Sequence, residues 1–448
     1  MDKQEQKLNY DLTKGSIGKS LVLFSLPMIL GNLLQQLYNI ADTLIVGRTI
    51  GAKALAAVGS SYALMVLLTS IILGLCMGSS VVFSQLYGAG KQEEMKTSVW
   101  NAFVFIMLLA VLIQITAYLL LKPMISWLHI PPEAAVATEE YLQVIFAGII
   151  LTGIYNFGAS LLRSIGNTVT ALVILAFCSV INIILDLVFI LQFHMGVRGA
   201  AVATVISQGI SAVCIVWYCQ KKARDICPKR QNMHYNRPLL QLVIENSILT
   251  ALQQSIMNFG ILMVQGLVNS FGYAASAAFA VVVKIDGFAY MPAQDFGNAF
   301  ATYVAQNYGA KKNDRISQGI RTAISISAIF CVLASAVVNF FARPLMLLFL
   351  QKEEVESIVI GMQYLHIEGA CYLGIGILFL LYALYRGMGK AGISIVLTVL
   401  SLGTRVVLAY VLSAIPAVGM TGIWWAVPIG WGIADCYGIW YYLRKKRL

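Results

Sequence analysis

Two short stretches, residues 84–91 (SQLYGAGK) and residues 305–312 (AQNYGAKK), decide how this chain is organised. They are related by a shift of 221 positions, from 84 to 305. The same shift relates Lys122-Pro123 to Arg343-Pro344, and Gly51 to Gly272. Further along, the shift becomes 223 for Arg163, Gly166, Gly196 and Gly199 against Arg386, Gly389, Gly419 and Gly422. Each shift stays constant over whole segments of the chain, which indicates an internal repeat.

The composition is that of a membrane protein. Of the 448 residues, 59% are hydrophobic and 11% are charged, whereas about a quarter of a soluble domain is charged. The mean hydropathy is +0.78, and a bilayer span needs about 20 apolar residues. These values exclude a water-soluble enzyme and predict an all-α polytopic membrane protein.

Twelve apolar runs are long enough to span a bilayer. No run has the alternation of a barrel strand, and backbone amides cannot stay unpaired in hydrocarbon, so the runs are predicted to be helices. Their expected limits are 21–46, 54–84, 98–121, 141–163, 169–192, 199–220, 239–269, 275–305, 320–342, 358–385, 392–414 and 421–443.

The 31 basic residues test this span count. Most of them fall in alternate connections and at both termini, and the cytoplasmic side of a membrane retains Lys and Arg in short loops. We therefore expect both termini to be cytoplasmic. The net charge of +11 is explained by this orientation in a lipid bilayer, so nucleic acid is not an expected partner.

The repeat predicts five parts of the chain. They are a cytoplasmic N-terminal arm (1–20), an N-lobe of six helices (21–220), a cytoplasmic linker (221–238), a C-lobe of six helices (239–443) and a basic tail (444–448). Because each half has an even number of spans, the two repeats are parallel and related by a pseudo-twofold axis along the membrane normal. Such an arrangement is typical of alternating-access transporters; a channel or assembly subunit is the alternative.

Two carboxylates in the first repeat are the main candidates for binding a coupling ion, because a charge inside a span costs about 2.5–3.5 kcal/mol. Asp186 follows Asn182 by four residues, so both lie on one helical face. With Asp42, Thr204 and a backbone carbonyl they offer oxygens of the kind that suits Na⁺. Two adjacent carboxylates in a dehydrated pocket also share a proton readily. The alternative for Asp42 is a carboxylate that reaches the outer interface.

Other ionisable groups inside spans have open roles. Asp295 follows a proline and either attracts cationic substrate into a cleft or pairs with a base. Structural ion pairs and transport roles are equally compatible with Lys284, Asp286, Glu368 and Arg405. Pro27 bends the first span, either as a switch or as a static kink.

No nucleotide-binding or catalytic pattern is found in the sequence. The chain has no GxxxxGK[ST], GxSxG or HExxH motif, so we expect no enzymatic activity and no cofactor other than Na⁺ or H⁺. The eight cysteines form no CxxC pair and are interpreted as small core residues, with neither a disulfide framework nor a metal site.

Taken together, these features resemble the multidrug and toxic compound extrusion (MATE) family, and the Lys284-Ile285-Asp286 segment is similar to its DinF-like bacterial branch. The resemblance rests on the twelve spans, the two QxYGA turns, Pro27 with Tyr38 and Asp42, and residues 162–166 (LRSIG). It implies a secondary active exporter of small organic, often cationic, compounds in exchange for Na⁺ or H⁺. It also implies a cation-coupling set of Asp42, Asn182, Asp186, Thr204 and the Ala200 carbonyl, with Tyr38 and Asn156 close by.

The chain departs from other branches of that family, which use a Glu in span 7 and an Asp in span 10. The matching positions here hold Gln253 and Gln254, and Gly374 and Ile375, which argues against cation coupling in the C-lobe. Gln254 and Asp295 are the expected substrate-cleft residues, and a monomer is the expected state. A flippase for lipid-linked precursors is an alternative that predicts an Arg-rich cleft, and Arg405 is the one arginine within a span.

Overall fold

A computed structural model describes residues 10–127 and 132–446, and in these residues the secondary structure is helical. The parts of the predicted arm and tail at residues 1–9 and 447–448 lie outside the described residues. The helices are α1 (Ile17–Thr49), α2 (Ala52–Gly88), α3 (Gln92–Trp127), α4 (Pro132–Ala147), α5 (Ile149–Ser164), α6 (Val169–Leu187), α7 (Gly196–Lys222), α8 (Arg237–Asn269), α9 (Tyr273–Gly309), α10 (Asn313–Phe340), α11 (Ala342–Leu347), α12 (Val355–Ala370), α13 (Tyr372–Gly387), α14 (Ala391–Ser413) and α15 (Thr421–Lys446).

Within the described ranges, nine helices are long and apolar enough to cross a membrane, and two bent helix pairs raise the number to eleven. The twelfth predicted span, 421–443, corresponds to α15, whose 26 residues extend about 39 Å at 1.5 Å per residue. The prediction of an all-α membrane protein is confirmed.

Two spans that the sequence predicts as single helices are broken. The fourth consists of α4 and α5, which meet at Gly148 with a bend of 46°, and the tenth consists of α12 and α13, which meet at Cys371 with a bend of 52°. At both breaks the backbone N–H bonds three residues back, Gly148 to Ile145 and Cys371 to Glu368, each at 2.9 Å. Such tight turns interrupt the α-helical ladder. Gly148 and Cys371 differ by 223 positions, so the break itself is repeated.

The connections confirm the repeat at atomic detail. After α2, the N–H groups of Ala89, Gly90 and Lys91 bond the carbonyls of Gln85, Tyr87 and Leu86, and after α9 the same pattern joins Ala310, Lys311 and Lys312 to Gln306, Tyr308 and Asn307. The left-handed residue is Gly90 in the first turn, with φ +73°, and Lys311 in the second, with φ +57°. Glycine adopts the left-handed conformation without strain. In the second turn Lys311, which has a side chain, adopts this conformation at a higher energetic cost.

The contacts divide the chain into two compact units. Among the described residues, unit 1 comprises 10–11 and 26–251, and unit 2 comprises 12–25 and 252–446. Each unit has its own apolar core, built around Phe83, Phe146 and Phe157 in unit 1 and around Phe279, Tyr364 and Trp424 in unit 2. The division falls inside α1 and inside α8, the first helix of each predicted repeat. Pro27 adjoins this division within α1, which stays one continuous helix.

Helices α14 and α15 of unit 2 pack closely because of a glycine. A β-carbon added at Gly430 would overlap the Ser401 carbonyl oxygen, whereas Gly432 of the same helix faces open space. Small residues allow helix backbones to approach in this way.

We predict that Gly430→Ala destabilises the protein by about 1–3 kcal/mol, because the new methyl group forces the two backbones apart. The matched change Gly432→Ala leaves stability equal or higher, since alanine favours the helix over glycine. Thermal unfolding of the purified protein in detergent measures both variants. Equal melting temperatures for the two would contradict the packing argument.

Candidate cation-coupling site

Asp42 of α1 and Asp186 of α6 face each other in unit 1. Asp42 is 7% exposed and Asp186 is fully buried. Their carboxyl groups lie within hydrogen-bonding distance of each other, and one oxygen of each, Oδ1, has no hydrogen-bond partner in the described part of the chain. A carboxylate accepts but does not donate, so two charged carboxylates at this distance repel. The pair therefore requires a shared proton or a small cation.

Asn182, one turn before Asp186 on α6, fixes the orientation of that carboxylate. With its amide oriented to satisfy both ends, Asn182 Nδ2 donates to Asp186 Oδ2 at 2.9 Å and its Oδ1 accepts from the Thr204 backbone N–H at 3.1 Å. Asn182 is buried, as is Thr204. The amide thus links α6 to α7 and holds Asp186 Oδ2, while Asp186 Oδ1 has no hydrogen-bond partner in the described part of the chain.

The remaining predicted ligands are engaged in bonds of their own. Thr204 Oγ1 donates to the Ala200 carbonyl at 3.0 Å, and the Tyr38 hydroxyl lies 3.5 Å from the same Thr204 oxygen. The structure therefore brings five of the predicted groups together with Tyr38. Asp42 Oδ1 and Asp186 Oδ1 are fully buried oxygens that have no hydrogen-bond partner in the described part of the chain.

Tyr141 of α4 is a member of this site that the sequence analysis missed. It is buried and lies close enough to Asp42, Asp186 and Tyr38 to interact with them electrostatically. The repeat contains a signal that identifies it: at the shift of 223, Tyr141 corresponds to Tyr364, which donates to a buried carboxylate in unit 2 at 2.8 Å.

The other predicted residues lie elsewhere. Asn156 donates to the Thr152 carbonyl of its own helix at 2.9 Å. Its predicted position close to the cation-coupling residues stays a prediction. Gln254 is half-buried on α8, and Asp295 is buried on α9, both in unit 2. Lys284 is exposed, with Nζ 5.9 Å from the centre of the Phe349 ring.

Unit 2 contains a second buried polar cluster, of different charge. The hydroxyls of Tyr364 and Tyr372 donate to the two oxygens of Asp286. Glu368 is buried beside Tyr364, and Arg405 lies close enough to interact electrostatically with both acids. Two carboxylates and one guanidinium leave this cluster with one negative charge when all are ionised.

The two clusters differ in how well their charges are compensated. In unit 2, Asp286 receives two hydroxyl bonds and Arg405 offsets one carboxylate. In unit 1 the described contacts of Asp42 and Asp186 include no basic side chain, so both charges depend on an added cation. Among the described residues no three His, Cys, Asp or Glu side chains are grouped as a metal site. One bound H⁺ or Na⁺ would offset one of the two carboxylate charges of the unit 1 pair.

Comparisons with known proteins find similar proteins over most of this chain. The MatE family model matches residues 27–188 and 248–411. The chain is 31% identical to the probable multidrug resistance protein YpnP of Bacillus subtilis, covering 97% of this chain and 96% of that protein. It is 25% identical to the probable multidrug resistance protein NorM of Thermotoga maritima over 91% of this chain and 88% of that one. A MOP superfamily transporter from Pyrococcus furiosus has a similar fold, with a TM-score of 0.91 at 24% identity over 97% of each chain.

Replacing Asp42 with the isosteric Asn is expected to raise thermal stability at alkaline pH without Na⁺, by on the order of 1–3 kcal/mol, since an amide donates to Asp186 where a carboxylate repels it. The gain shrinks as the pH falls, because protonation relieves the same repulsion in the unmodified protein. Melting curves in detergent at several pH values measure it.

Asp225→Asn, the same change at an exposed acid of the linker, is the control and leaves the melting curves unchanged. A variant Asp42→Asn that is less stable than the unmodified protein across the whole pH range would refute the repulsive pair.

Proposed function

The chain belongs to the MatE family, and from that premise we propose that it is a secondary active exporter that exchanges small organic compounds for protons at the Asp42–Asp186 pair. The observation that carries this proposal is the approach of two buried carboxylates with one unpartnered oxygen on each. A proton bound between them removes the repulsion and supplies the missing donor. Its release on the other side of the membrane is the energy-yielding step.

The hydrogen bonds favour H⁺ over Na⁺. A Na⁺ site built from the predicted ligands needs the Asn182 oxygen, the Thr204 hydroxyl and the Ala200 carbonyl to face the ion. Here the Asn182 oxygen accepts from the Thr204 N–H, and the Asn182 Nδ2 rather than its oxygen faces Asp186. The Thr204 hydroxyl donates to Ala200 and keeps its lone pairs for either ion. Two carboxylate oxygens are enough for a proton, whereas Na⁺ requires more ligands, so Na⁺ coupling is the second candidate.

Bending of α1 at Pro27 is the proposed link between the proton and the conformational change. Pro27 removes a backbone hydrogen bond from α1 and adjoins the point at which this helix passes from unit 2 into unit 1. Asp42 lies 15 residues further along the same helix, about 22 Å. Protonation of the pair changes how Asp42 holds this end of α1, and the proline gives the helix a place to bend.

The substrates are proposed to be small organic compounds of varied structure, with a preference for cations. The relatives YpnP and NorM are named as multidrug resistance proteins, and Gln254 and Asp295 are the proposed substrate-cleft residues. We place the protein in the bacterial cytoplasmic membrane, as a monomer with both termini inside. The basic clusters of the linker and tail support that orientation.

A flippase for lipid-linked precursors is less well supported. Binding a diphosphate calls for arginines that are free of acidic neighbours, and Arg405 interacts with both Asp286 and Glu368. The unit 2 cluster therefore has one negative charge in excess where a phosphate needs positive charge.

Asp42→Asn and Asp186→Asn are each expected to reduce ion-driven export to background, because neither an amide nor a single carboxylate can exchange the shared proton at physiological pH. Uptake of a fluorescent cationic dye into inverted membrane vesicles, driven by an imposed H⁺ gradient, measures the loss. Asp314→Asn, at an exposed acid on α10, is the control and keeps full activity. Gradient-driven uptake by Asp42→Asn at the unmodified rate, at equal protein level, would rule out the proposed role.

Thr204→Val distinguishes the two ions. This substitution keeps the shape of the side chain but removes the hydroxyl, which is a ligand for Na⁺ and not for a shared proton. We expect dye uptake under an H⁺ gradient without Na⁺ to persist in the variant. Uptake that follows a Na⁺ gradient, with a higher Na⁺ requirement in Thr204→Val, would instead establish Na⁺ as the coupling ion.

A further inference from the structure

Two cysteine thiols meet where α7 ends and the linker begins. Cys219 lies in the last turn of α7 and is 7% exposed. Cys227, in the linker, is half-buried, and its Sγ donates to the Cys219 carbonyl at 3.1 Å. The two thiol groups are also within hydrogen-bonding distance of each other. The sequence gives no CxxC motif here, because eight positions separate the two residues.

The geometry assigns different chemistry to the two thiols. A thiolate is the reactive form of cysteine, and Cys227 forms it by losing the proton that it donates to the Cys219 carbonyl. The Cys219 thiol can then donate to the Cys227 sulfur, and this hydrogen bond lowers the pKa of Cys227. Cys227 is also the more accessible of the pair. Cys219 is shielded from solvent but adjacent to Cys227, which is the position of a residue that resolves a mixed disulfide.

The surroundings favour an anionic reagent. Five exposed basic side chains lie between Lys221 and Arg230, and Asp225 is the one acid in that stretch. A basic patch raises the local concentration of anions and stabilises a thiolate. The basic residues are Lys221, Lys222, Arg224, Lys229 and Arg230.

The linker is anchored so that the two sulfurs stay together. Beyond Cys227, Asn232 Nδ2 donates to Glu93 of α3 at 2.8 Å, and Asn101 Nδ2 of α3 donates to the His234 carbonyl at 3.0 Å. Before it, the Ala223 N–H bonds the Cys219 carbonyl at 3.2 Å and closes the helix. The segment carrying Cys227 is therefore held at both ends against unit 1.

We propose that Cys219 and Cys227 form a reversible thiol–disulfide site that reacts with small anionic disulfides. The Cys227 thiolate attacks one sulfur of the disulfide, which breaks its S–S bond, forms a mixed disulfide at Cys227 and releases one thiolate. Cys219 then loses its proton to solvent and attacks Cys227, which forms the Cys219–Cys227 bond and releases the second thiolate. The pair is oxidised by two electrons and the small disulfide is reduced to two thiols.

The test is peptide mass mapping of the purified full-length protein after exposure to oxidised glutathione and alkylation of the remaining thiols. In the unmodified protein we expect a Cys219–Cys227 disulfide that dithiothreitol reverses. In Cys219→Ser, we expect Cys227 to keep one glutathione, because no neighbouring thiol displaces it. In Cys227→Ser, Cys219 stays reduced because it is buried.

Cys436→Ser removes an exposed cysteine of α15 and serves as the matched control, with the same disulfide yield as the unmodified protein. A stable mixed disulfide at Cys227 in the unmodified protein, or a Cys227 that is no more reactive than Cys436, would overturn the proposal. The measurement on the unmodified protein does not require any variant to fold. It is also independent of transport, so it separates this site from the proposed export activity.

Discussion

The repulsion between the carboxylates of Asp42 and Asp186 is the constraint on which the proposed mechanism depends. Each group is buried, and neither has a basic contact in the described part of the chain. In the proposed mechanism the pair is therefore stable when it holds a positive species and unstable when it does not. Asn182 binds Asp186 Oδ2, so Asp186 Oδ1, which has no hydrogen-bond partner in the described part of the chain, is the oxygen available to a shared ion. A site with this property changes its preferred conformation when its occupancy changes, which is the basis of ion-coupled transport.

The internal repeat shows how one backbone carries two kinds of chemistry. Both units have the same helix break, the same left-handed turn and the same tyrosine, Tyr141 in one and Tyr364 in the other. The acids do not repeat, since Asp42 and Asp186 have no acidic counterparts and Asp286 is paired with Tyr372 and Arg405 instead. Duplication has thus preserved the backbone geometry while the charges diverged. In unit 1 the tyrosine lies near an uncompensated pair, and in unit 2 it satisfies a carboxylate.

Much of this organisation is predictable from the sequence, because apolar length and repeat register are strong local signals. The helices and the repeat are of this kind. The grouping of Asp42, Asp186, Asn182 and Thr204 instead follows from their oxygen chemistry, the four-residue spacing of Asn182 and Asp186, and the family resemblance. The breaks at Gly148 and Cys371 are not predictable, since helix continuity depends on packing against neighbouring helices. The direction of the Asn182 amide likewise depends on the Thr204 N–H of another helix. The Cys219–Cys227 contact depends on how the linker folds back onto α7, which spacing alone does not specify.

The helix that contributes Asp42 also explains why an ion bound in one unit can affect both. Residues 17–25 of α1 belong to unit 2, where Leu21 and Phe24 are fully buried, and residues 26–49 belong to unit 1. A change in the position of Asp42 is transmitted along a continuous hydrogen-bonded helix until it reaches Pro27, where one backbone bond is missing. Bending is least costly at that point, which adjoins the boundary between the units. In the proposed mechanism, the carboxylate pair, the helix and the proline therefore act together: the ion binds at one end of α1, and the helix bends near the other.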